Sequence, residues 1–244
     1  MITSIRARFR APWRSDSGLS MMELIVSMGL STIVLTMVVG FFVQITSATV
    51  KANDSRNTTA MASNIANELA DVIRPATTLR VMGLTAPDPA ILSATGASLT
   101  IYTYADNTSS SVRPIRISFS QNAKKQLVER QWNATMNAST GLWEFPAITT
   151  TPASTRVFPG VLIDPSTATG AGATETAPLF VYLDSGSAVV VPASTGLTLA
   201  QRASVAAIRF TVRTRTDTST TARPIAIQNT VGMPNLGLQS KDDS

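Results

Sequence analysis

The hydrophobic and polar positions of the chain begin with one long apolar run. Leu24–Val43 contains 20 residues without a charged side chain, and the next charge is at Lys51. In a helix, 20 residues cover about 30 Å, the thickness of the hydrocarbon core of a bilayer. The run therefore predicts one membrane-spanning helix at about residues 24–43. A secretory signal is the alternative, although its apolar core is usually only about 7–15 residues long, and Thr46–Ala48 is a weak cleavage candidate.

The helical pattern continues beyond this run. The chain has no proline between Pro12 and Pro75, so one long helix over residues 19–75 is predicted. Its second half carries apolar residues at spacings of three and four, which is typical of a helix with one buried face. The polar stretch at residues 54–59 predicts a bend or a frayed turn, and Pro75 ends the helix. The apolar residues of this face are Ala62, Ile65, Ala66, Leu69, Val72 and Ile73.

Residues 79–244 change to short segments in which apolar and polar residues alternate. This period of two, with many β-branched and aromatic residues, predicts half-buried antiparallel strands. Eight or nine strands can bury a single core, and the helix would then pack against one face of the sheet. The predicted fold class is therefore α+β. The candidate strands are Leu99–Tyr104, Ile115–Phe119, Gln126–Trp132, Leu142–Phe145, Arg156–Ile163, Leu179–Asp184, Ala188–Val191, Ile208–Thr214 and Pro224–Val231.

Composition excludes several kinds of chemistry, because the chain contains neither cysteine nor histidine. Disulfides, thiol nucleophiles, Ser-His-Asp triads and imidazole metal ligands cannot form without these residues. No arrangement of the remaining residues predicts a catalytic site, so we expect neither an enzyme nor a bound cofactor. The carboxylates Asp106, Asp164 and Asp184 leave a calcium site open, but they lack the spacing of an EF-hand loop.

The formal net charge of +5 raises the question of an anionic partner. Residues 1–18 carry a net charge of +3, so residues 19–244 carry only +2. Arg209, Arg213 and Arg215 share one face of a predicted strand and are candidates for contact with an acidic partner or DNA, but a solvated strand face is the favoured interpretation. Nucleic acid is therefore a partner for which the sequence gives no support. A basic segment before an apolar run predicts a cytoplasmic N-terminus and an exported C-terminal domain.

Glu23 does not fit a plain membrane anchor. It lies at the start of the apolar run, and no basic residue is within reach on the same helical face. A carboxylate at the centre of a membrane helix costs about 2.5–3.5 kcal/mol, and such groups usually have a partner. Glu23 is therefore either an acid tolerated at the membrane interface or a group that pairs with a cation of another molecule.

The segment Arg14-Ser-Asp-Ser-Gly18, followed by Leu19-Ser-Met-Met-Glu23-Leu24-Ile25, resembles the type IV prepilin-like proteins. In that family a short basic leader ends in glycine, and a glutamate lies five residues after the glycine. The resemblance implies that residues 1–18 are a leader, that a prepilin peptidase cuts between Gly18 and Leu19, and that the new amine of Leu19 is methylated. Leu19 stands where the family more often has phenylalanine.

By the same resemblance, Glu23 of one subunit pairs with the Leu19 amine of a neighbour when the helices assemble. The implied partners are the prepilin peptidase and other pilin subunits, in a filament of several components. The protein would lie in the cytoplasmic membrane before it enters a filament at the cell surface.

The order of the segments resembles that of the larger minor pilins and of the J-type pseudopilins of type II secretion. A long helix precedes a strand-rich domain in all of them. A minor pilus subunit is the prediction, and a J-type pseudopilin is the alternative within the same class. The alternative from another class is a membrane-anchored exported binding module or enzyme that uses the helix only as a tether.

Overall fold

The computed structural model describes residues 20–105, 112–163, 178–215 and 224–236. The chain divides into two compact units, residues 1–50 and 51–244. In chain order the elements are α1 (Met21–Ile73), β1 (Ile91–Ala94), β2 (Leu99–Thr103), β3 (Ile115–Gln121), β4 (Leu127–Asn133), β5 (Thr135–Met136), β6 (Trp143–Glu144), β7 (Ser154–Val157), β8 (Val161–Leu162), β9 (Phe180–Asp184), β10 (Val189–Val190), α2 (Leu199–Ser204), β11 (Val205–Arg215) and β12 (Ile225–Gly232).

The helix α1 is continuous over 53 residues. No frayed turn interrupts the helix at residues 54–59, and polar side chains there bond within the helix. The Thr58 hydroxyl donates to the Asp54 carbonyl at 2.7 Å, and the Thr59 hydroxyl donates to the Ser55 carbonyl at 2.8 Å. Thr58 is also buried, so tertiary packing outweighs its weak helix propensity. The helix ends at Ile73, two residues before Pro75, as the sequence predicts.

The strands form two five-stranded antiparallel sheets and one two-stranded hairpin. Sheet 1 has the order β1-β2-β3-β4-β7, and β5 pairs with β6 in the hairpin. Sheet 2 has the order β10-β9-β11-β12, and β8 pairs with the C-terminal end of β11. All strand pairs are antiparallel. The sequence predicted this class of sheet but not its division into two.

One hydrophobic core joins the second half of α1 to both sheets. The predicted face of the helix is the buried one, and Ala62, Leu69 and Ile73 are fully excluded from solvent. The Thr103 hydroxyl of β2 donates to the Val72 carbonyl of the helix at 2.8 Å. All five residues of β2 are buried, so this strand is covered on both faces rather than half-buried. The α+β class is thus confirmed.

The candidate strand at residues 156–163 is the clearest error among the predicted strands. The structure has two short strands there, because Pro159 and Gly160 interrupt the ladder. Gly160 adopts a φ of +95°, a conformation that side chains other than glycine rarely take. The chain pairs with β4 of sheet 1 before this point and with β11 of sheet 2 after it. Three short elements were not predicted: β1, β5 and α2.

Candidate functional site

The start of α1 places the two polar residues that precede the apolar run. Ser20 lies immediately before the helix, and its hydroxyl accepts a hydrogen bond from the Glu23 backbone N–H at 3.2 Å. This is the geometry of an N-cap, in which a serine satisfies an N–H that has no partner within the helix. Glu23 therefore lies in the first turn, where the helix dipole favours a negative charge. The serine three residues before the glutamate is a sequence signal for this cap, and the predicted site did not include it.

Of the predicted site residues, the structure places only Glu23. Its backbone N–H also approaches the Ser20 carbonyl at 2.9 Å, and the residue is exposed. Gly18 and Leu19, the predicted processing residues, lie outside the described residues, and so does the rest of the leader. Within the described residues the glutamate is the first charged group of the helix, and the apolar run begins at the next residue.

The apolar part of α1 is exposed along its whole length in the isolated chain. None of residues 20–50 is buried, and large side chains such as Phe41 and Phe42 are 66% and 69% exposed. This helix is long and apolar enough to cross a membrane, with a mean hydropathy of 2.2 over 18 residues. An apolar surface of this extent needs lipid or other apolar helices around it.

The hydroxyl groups within this part of the helix bond to their own backbone. Ser27 donates to the Leu24 carbonyl at 3.0 Å, and Thr32 donates to the Met28 carbonyl at 2.8 Å. Thr36 continues the pattern with the carbonyl of Thr32 at 2.8 Å. These hydroxyls therefore add little polarity to the outer surface of the helix.

A charged cluster connects the second half of α1 with sheet 1. Nη1 of Arg156 on β7 lies 2.5 Å from Oε2 of Glu68 on the helix. Glu129 on β4 is the ladder partner of Arg156, and its Oε2 is buried with no hydrogen-bond partner among the described residues. Burial raises the pKa of Glu129, the nearby Glu68 carboxylate raises it further, and Arg156 lowers it. Glu68 thus bonds the guanidinium of Arg156, while Glu129 lies near both charges.

Glu129→Gln is expected to stabilise the β-rich unit at neutral pH. The folded-state pKa of Glu129 is raised, so the folded chain takes up a proton before the unfolded chain as the pH falls. The wild type should therefore gain stability on mild acidification, and the variant should lose this dependence. The pH dependence is measured by thermal unfolding of the detergent-solubilised chain at pH 7 and pH 5, with circular dichroism as the signal. We expect a rise in Tm of a few degrees at pH 7, the size that about 1 kcal/mol produces in a domain of this length.

Asp71→Asn is the matched control for this experiment, because Asp71 is an exposed carboxylate on the same helix. Its removal should leave the difference between the two pH values unchanged. An equal flattening of the pH dependence by Asp71→Asn, or none by Glu129→Gln, would contradict the assignment of the effect to Glu129.

The three arginines of β11 do not form a solvated strand face, and the sequence interpretation was wrong on this point. Arg213 is only 6% exposed, and Arg209 and Arg215 are half-buried. The reason is that residues 95–97 and 192–194 lie around the same cleft as Arg213, so other segments cover this part of the strand face. Arg213 instead lines a cleft of about 390 Å³ together with Thr211 and Gln121.

Arg116 is a second buried cation, and the sequence pattern did not single it out. Its guanidinium carbon lies 4.9 Å from the ring centroid of Trp132 and 5.6 Å from that of Phe145. Its Nη2 donates to the Pro146 carbonyl at 2.5 Å. Burial lowers the pKa of Arg116. The two aromatic rings hold the cation by cation–π attraction, which fastens the segment after β6 to sheet 1.

Tyr102 belongs to the same aromatic group. Its ring centroid lies 4.8 Å from that of Phe145, and its hydroxyl donates to Asp88 Oδ2 at 3.2 Å. Burial raises the pKa of Tyr102, and the neighbouring Asp88 carboxylate raises it further. The ring packing and the hydrogen bond serve to join two loops to the sheet.

Of the three carboxylates considered for calcium, the structure describes only Asp184. Asp184 accepts hydrogen bonds from the backbone N–H groups of Gly186 and Ala188 at 2.9 and 2.8 Å, so it stabilises the turn between β9 and β10. Asp106 and Asp164 lie outside the described residues. In the part of the chain that the structure describes, no three Asp or Glu side chains are grouped so that they could hold a metal ion.

Comparisons of the chain with models of protein families and with curated proteins found no match. The architecture is that of a pilin-like protein in general outline, with a long apolar N-terminal helix whose second half packs on an antiparallel β-rich unit.

Proposed function

We propose that this chain is a structural subunit, and a minor one, of a type IV pilus or a related filament. The observation that carries the proposal is the start of α1: Glu23 lies in the first helical turn, and an exposed, charge-free helical surface follows it at once. The β-rich unit packed on the second half of the helix supports it.

The proposed route has three steps. The chain is inserted in the cytoplasmic membrane through residues 24–43, with its N-terminus inside and its β-rich unit exported. A prepilin peptidase then removes residues 1–18, which leaves Leu19 as the new, methylated N-terminus. The apolar helix finally leaves the lipid and packs against the helices of other subunits, which cover the same surface that lipid covered before.

Charge pairing would set the register of this assembly. The new amine of Leu19 lies one residue before the Ser20 cap, so a positive charge sits at the end of a helix where the dipole disfavours it. A carboxylate from a neighbouring subunit would offset this unfavourable charge. Glu23 is the acidic residue in the first turn of the helix. A buried charge without its partner costs about 3–5 kcal/mol. A subunit in the wrong register would therefore be rejected.

The proposal assigns no catalytic step to this chain, which acts by non-covalent assembly. The contact between successive helices is head-to-tail, and contacts of this heterologous kind propagate as a helical filament. The proposal that the chain is a minor subunit rests on the size of the β-rich unit, which has 12 strands in its described part. A J-type pseudopilin of type II secretion would use the same helix in the same way, and genomic neighbours that encode a secretion channel and exported hydrolases would indicate it.

Mass spectrometry of the mature N-terminus tests the proposal most directly. We expect the membrane-extracted protein to begin at a methylated Leu19 in cells with an active prepilin peptidase. Gly18→Ala should retain residues 1–18. A chain that begins at Met1 in such cells, or that is cut near Ala48, would support the rival function as a tethered exported module.

A further inference from the structure

Apart from the two-residue strand β8, the two five-stranded sheets have four edge strands, and these differ in how they are protected. The outer strand of a sheet has N–H and C=O groups that are free to pair with another polypeptide. Soluble proteins usually shield such strands with a covering element, a charged side chain, a proline or a short length. The edge strands are β1 and β7 in sheet 1, and β10 and β12 in sheet 2.

Three of the four edges carry a shield. Arg202 of α2 donates to the carbonyls of Ile91 and Leu92, and thus covers β1. The strand β7 has only four residues, and its Arg156 forms the ion pair with Glu68. The strand β10 has only two residues and is followed closely by Pro192.

Among the described residues, the fourth edge, β12, has no covering element and no shield within the strand, although Pro224 immediately precedes it. It has eight residues, Ile-Ala-Ile-Gln-Asn-Thr-Val-Gly, without a charge or a proline. Its pairing with β11 runs over eight consecutive residues without a bulge. Among the described strands only β11 pairs with it. A long, regular and uncharged strand at a sheet edge is the form that accepts an added strand.

The register shows which backbone groups of β12 face away from β11. The Met233 N–H donates to the Ala206 carbonyl at 3.0 Å, while the Thr211 N–H donates to Leu179 on the opposite side of β11 at 2.9 Å. Because backbone groups alternate in direction along a strand, the odd-numbered residues of β12 point to β11. The even-numbered residues, Ala226, Gln228, Thr230 and Gly232, therefore point outward. In agreement, the Thr230 N–H donates to the side chain of its neighbour Asn229, at 2.8 Å.

The side chains of β12 define what would fit beside it. Ile225 and Ile227 are half-buried, and Val231 on the same face is fully buried in the core. Ala226 and Gln228 on the other face are exposed. An added strand would cover the two isoleucines if its own side chains on that face were apolar. It would meet no charged side chain of β12 on either face.

We propose that β12 is a docking edge for an extended, uncharged segment of another subunit, with apolar side chains at alternate positions. Main-chain hydrogen bonds to Ala226, Gln228, Thr230 and Gly232 provide the affinity, and coverage of Ile225 and Ile227 selects the apolar face. That the occupant comes from a filament subunit rests on the proposed function. The open edge itself does not.

Hydrogen exchange of the full chain in detergent tests the edge without any filament. The probe is a synthetic ten-residue peptide that does not occur in this chain, is uncharged and has apolar side chains at alternate positions. We expect the peptide to slow exchange at the outward amides of Ala226, Gln228 and Gly232 and to leave the amides that already bond to β11 unchanged. No slowing at a saturating peptide concentration would overturn the proposal.

Variants at Ala226 separate backbone pairing from side-chain contact. Ala226→Pro removes an outward N–H and should weaken peptide binding about tenfold, because the hydrogen bond is lost and the ring obstructs the approach. Ala226→Val keeps the N–H at the same exposed position and should bind as the wild type does. Thr230→Pro is the second variant of the same kind, and thermal unfolding establishes that each variant is folded. Equal binding by Ala226→Pro and Ala226→Val would contradict main-chain pairing.

The other occupants give different results. Protection of the Ala226, Gln228 and Gly232 amides in the free chain would mean that the chain covers its own edge; the Thr230 amide does not report on this, because it already donates to the Asn229 side chain. A concentration-dependent dimer that Ala226→Pro abolishes would mean that a second copy occupies it. Either result overturns the assignment to another subunit.

In purified filaments, the outward amides of Ala226, Gln228 and Gly232 should be protected. If they still exchange freely there, the docking proposal fails and the assembly function stands. If the chain binds the peptide but never enters filaments, the function fails and the edge stands.

Discussion

Glu23→Ala is expected to be cut after Gly18 as the wild type is, yet to enter filaments at least about tenfold less. Cleavage requires only the leader and the residues around the cut. Assembly removes the Leu19 amine of a neighbour from water, and without Glu23 that charge stays unpaired. The ratio of the processed chain in sheared filaments to that in membranes, measured by quantitative immunoblot, gives the effect.

Two further variants make this result specific. Glu23→Gln keeps the shape and the hydrogen-bonding capacity but removes the charge, so it should fail nearly as Glu23→Ala does. Asp71→Asn removes an acid from the exposed side of the same helix and should enter filaments normally. Normal incorporation of Glu23→Ala would contradict the pairing argument, whereas failure of both Glu23→Ala and Asp71→Asn would indicate a general loss of helix stability.

The sequence could predict α1 because its signals are local. The absence of proline, the apolar run and the spacing of Ile65, Leu69 and Val72 each act over a few turns of helix. The same is true of most strands, in which the alternation of apolar and polar residues indicates one buried face. The site is predictable to the same extent: Glu23 is found by its place at the start of the apolar run, and Ser20 could have been found as its cap.

Long-range packing set the features that the sequence could not predict. Arg213 lies on one face of β11 as a surface residue would, but segments distant in sequence, residues 95–97 and 192–194, lie around it and bury it. Glu68 and Arg156 are 88 residues apart and meet only because β7 lies beside α1. Thr58 is a poor helix former by itself and is helical because it is buried. Each of these depends on which elements become neighbours, and periodicity within one element does not contain that information.

The break between β7 and β8 also bears on stability, and it leads to a prediction for Gly160. Gly160→Ala is expected to lower the free energy of unfolding by about 2–4 kcal/mol, from a left-handed φ and from overpacking. A Cβ atom at this position would lie 2.6 Å from Thr214 Oγ1 and 3.4 Å from Met61 Sδ. Thr214 is fully buried on β11, so its hydroxyl has no open space to move into. The Tm of the detergent-solubilised chain should fall by roughly 4–16 °C.

Gly141→Ala is the matched control, because Gly141 has a φ of +66° but no heavy atom within 4 Å of its added Cβ. Gly141→Ala should lower the free energy of unfolding only by the cost of the left-handed backbone conformation, about 1–2 kcal/mol. Thr214→Ala removes the clashing hydroxyl, whose oxygen has no hydrogen-bond partner among the described residues. In a double-mutant cycle it should therefore couple favourably with Gly160→Ala and not with Gly141→Ala. Equal losses of stability for the two glycine variants, without coupling to Thr214, would mean that the crossing from sheet 1 to sheet 2 is not sterically constrained at Gly160.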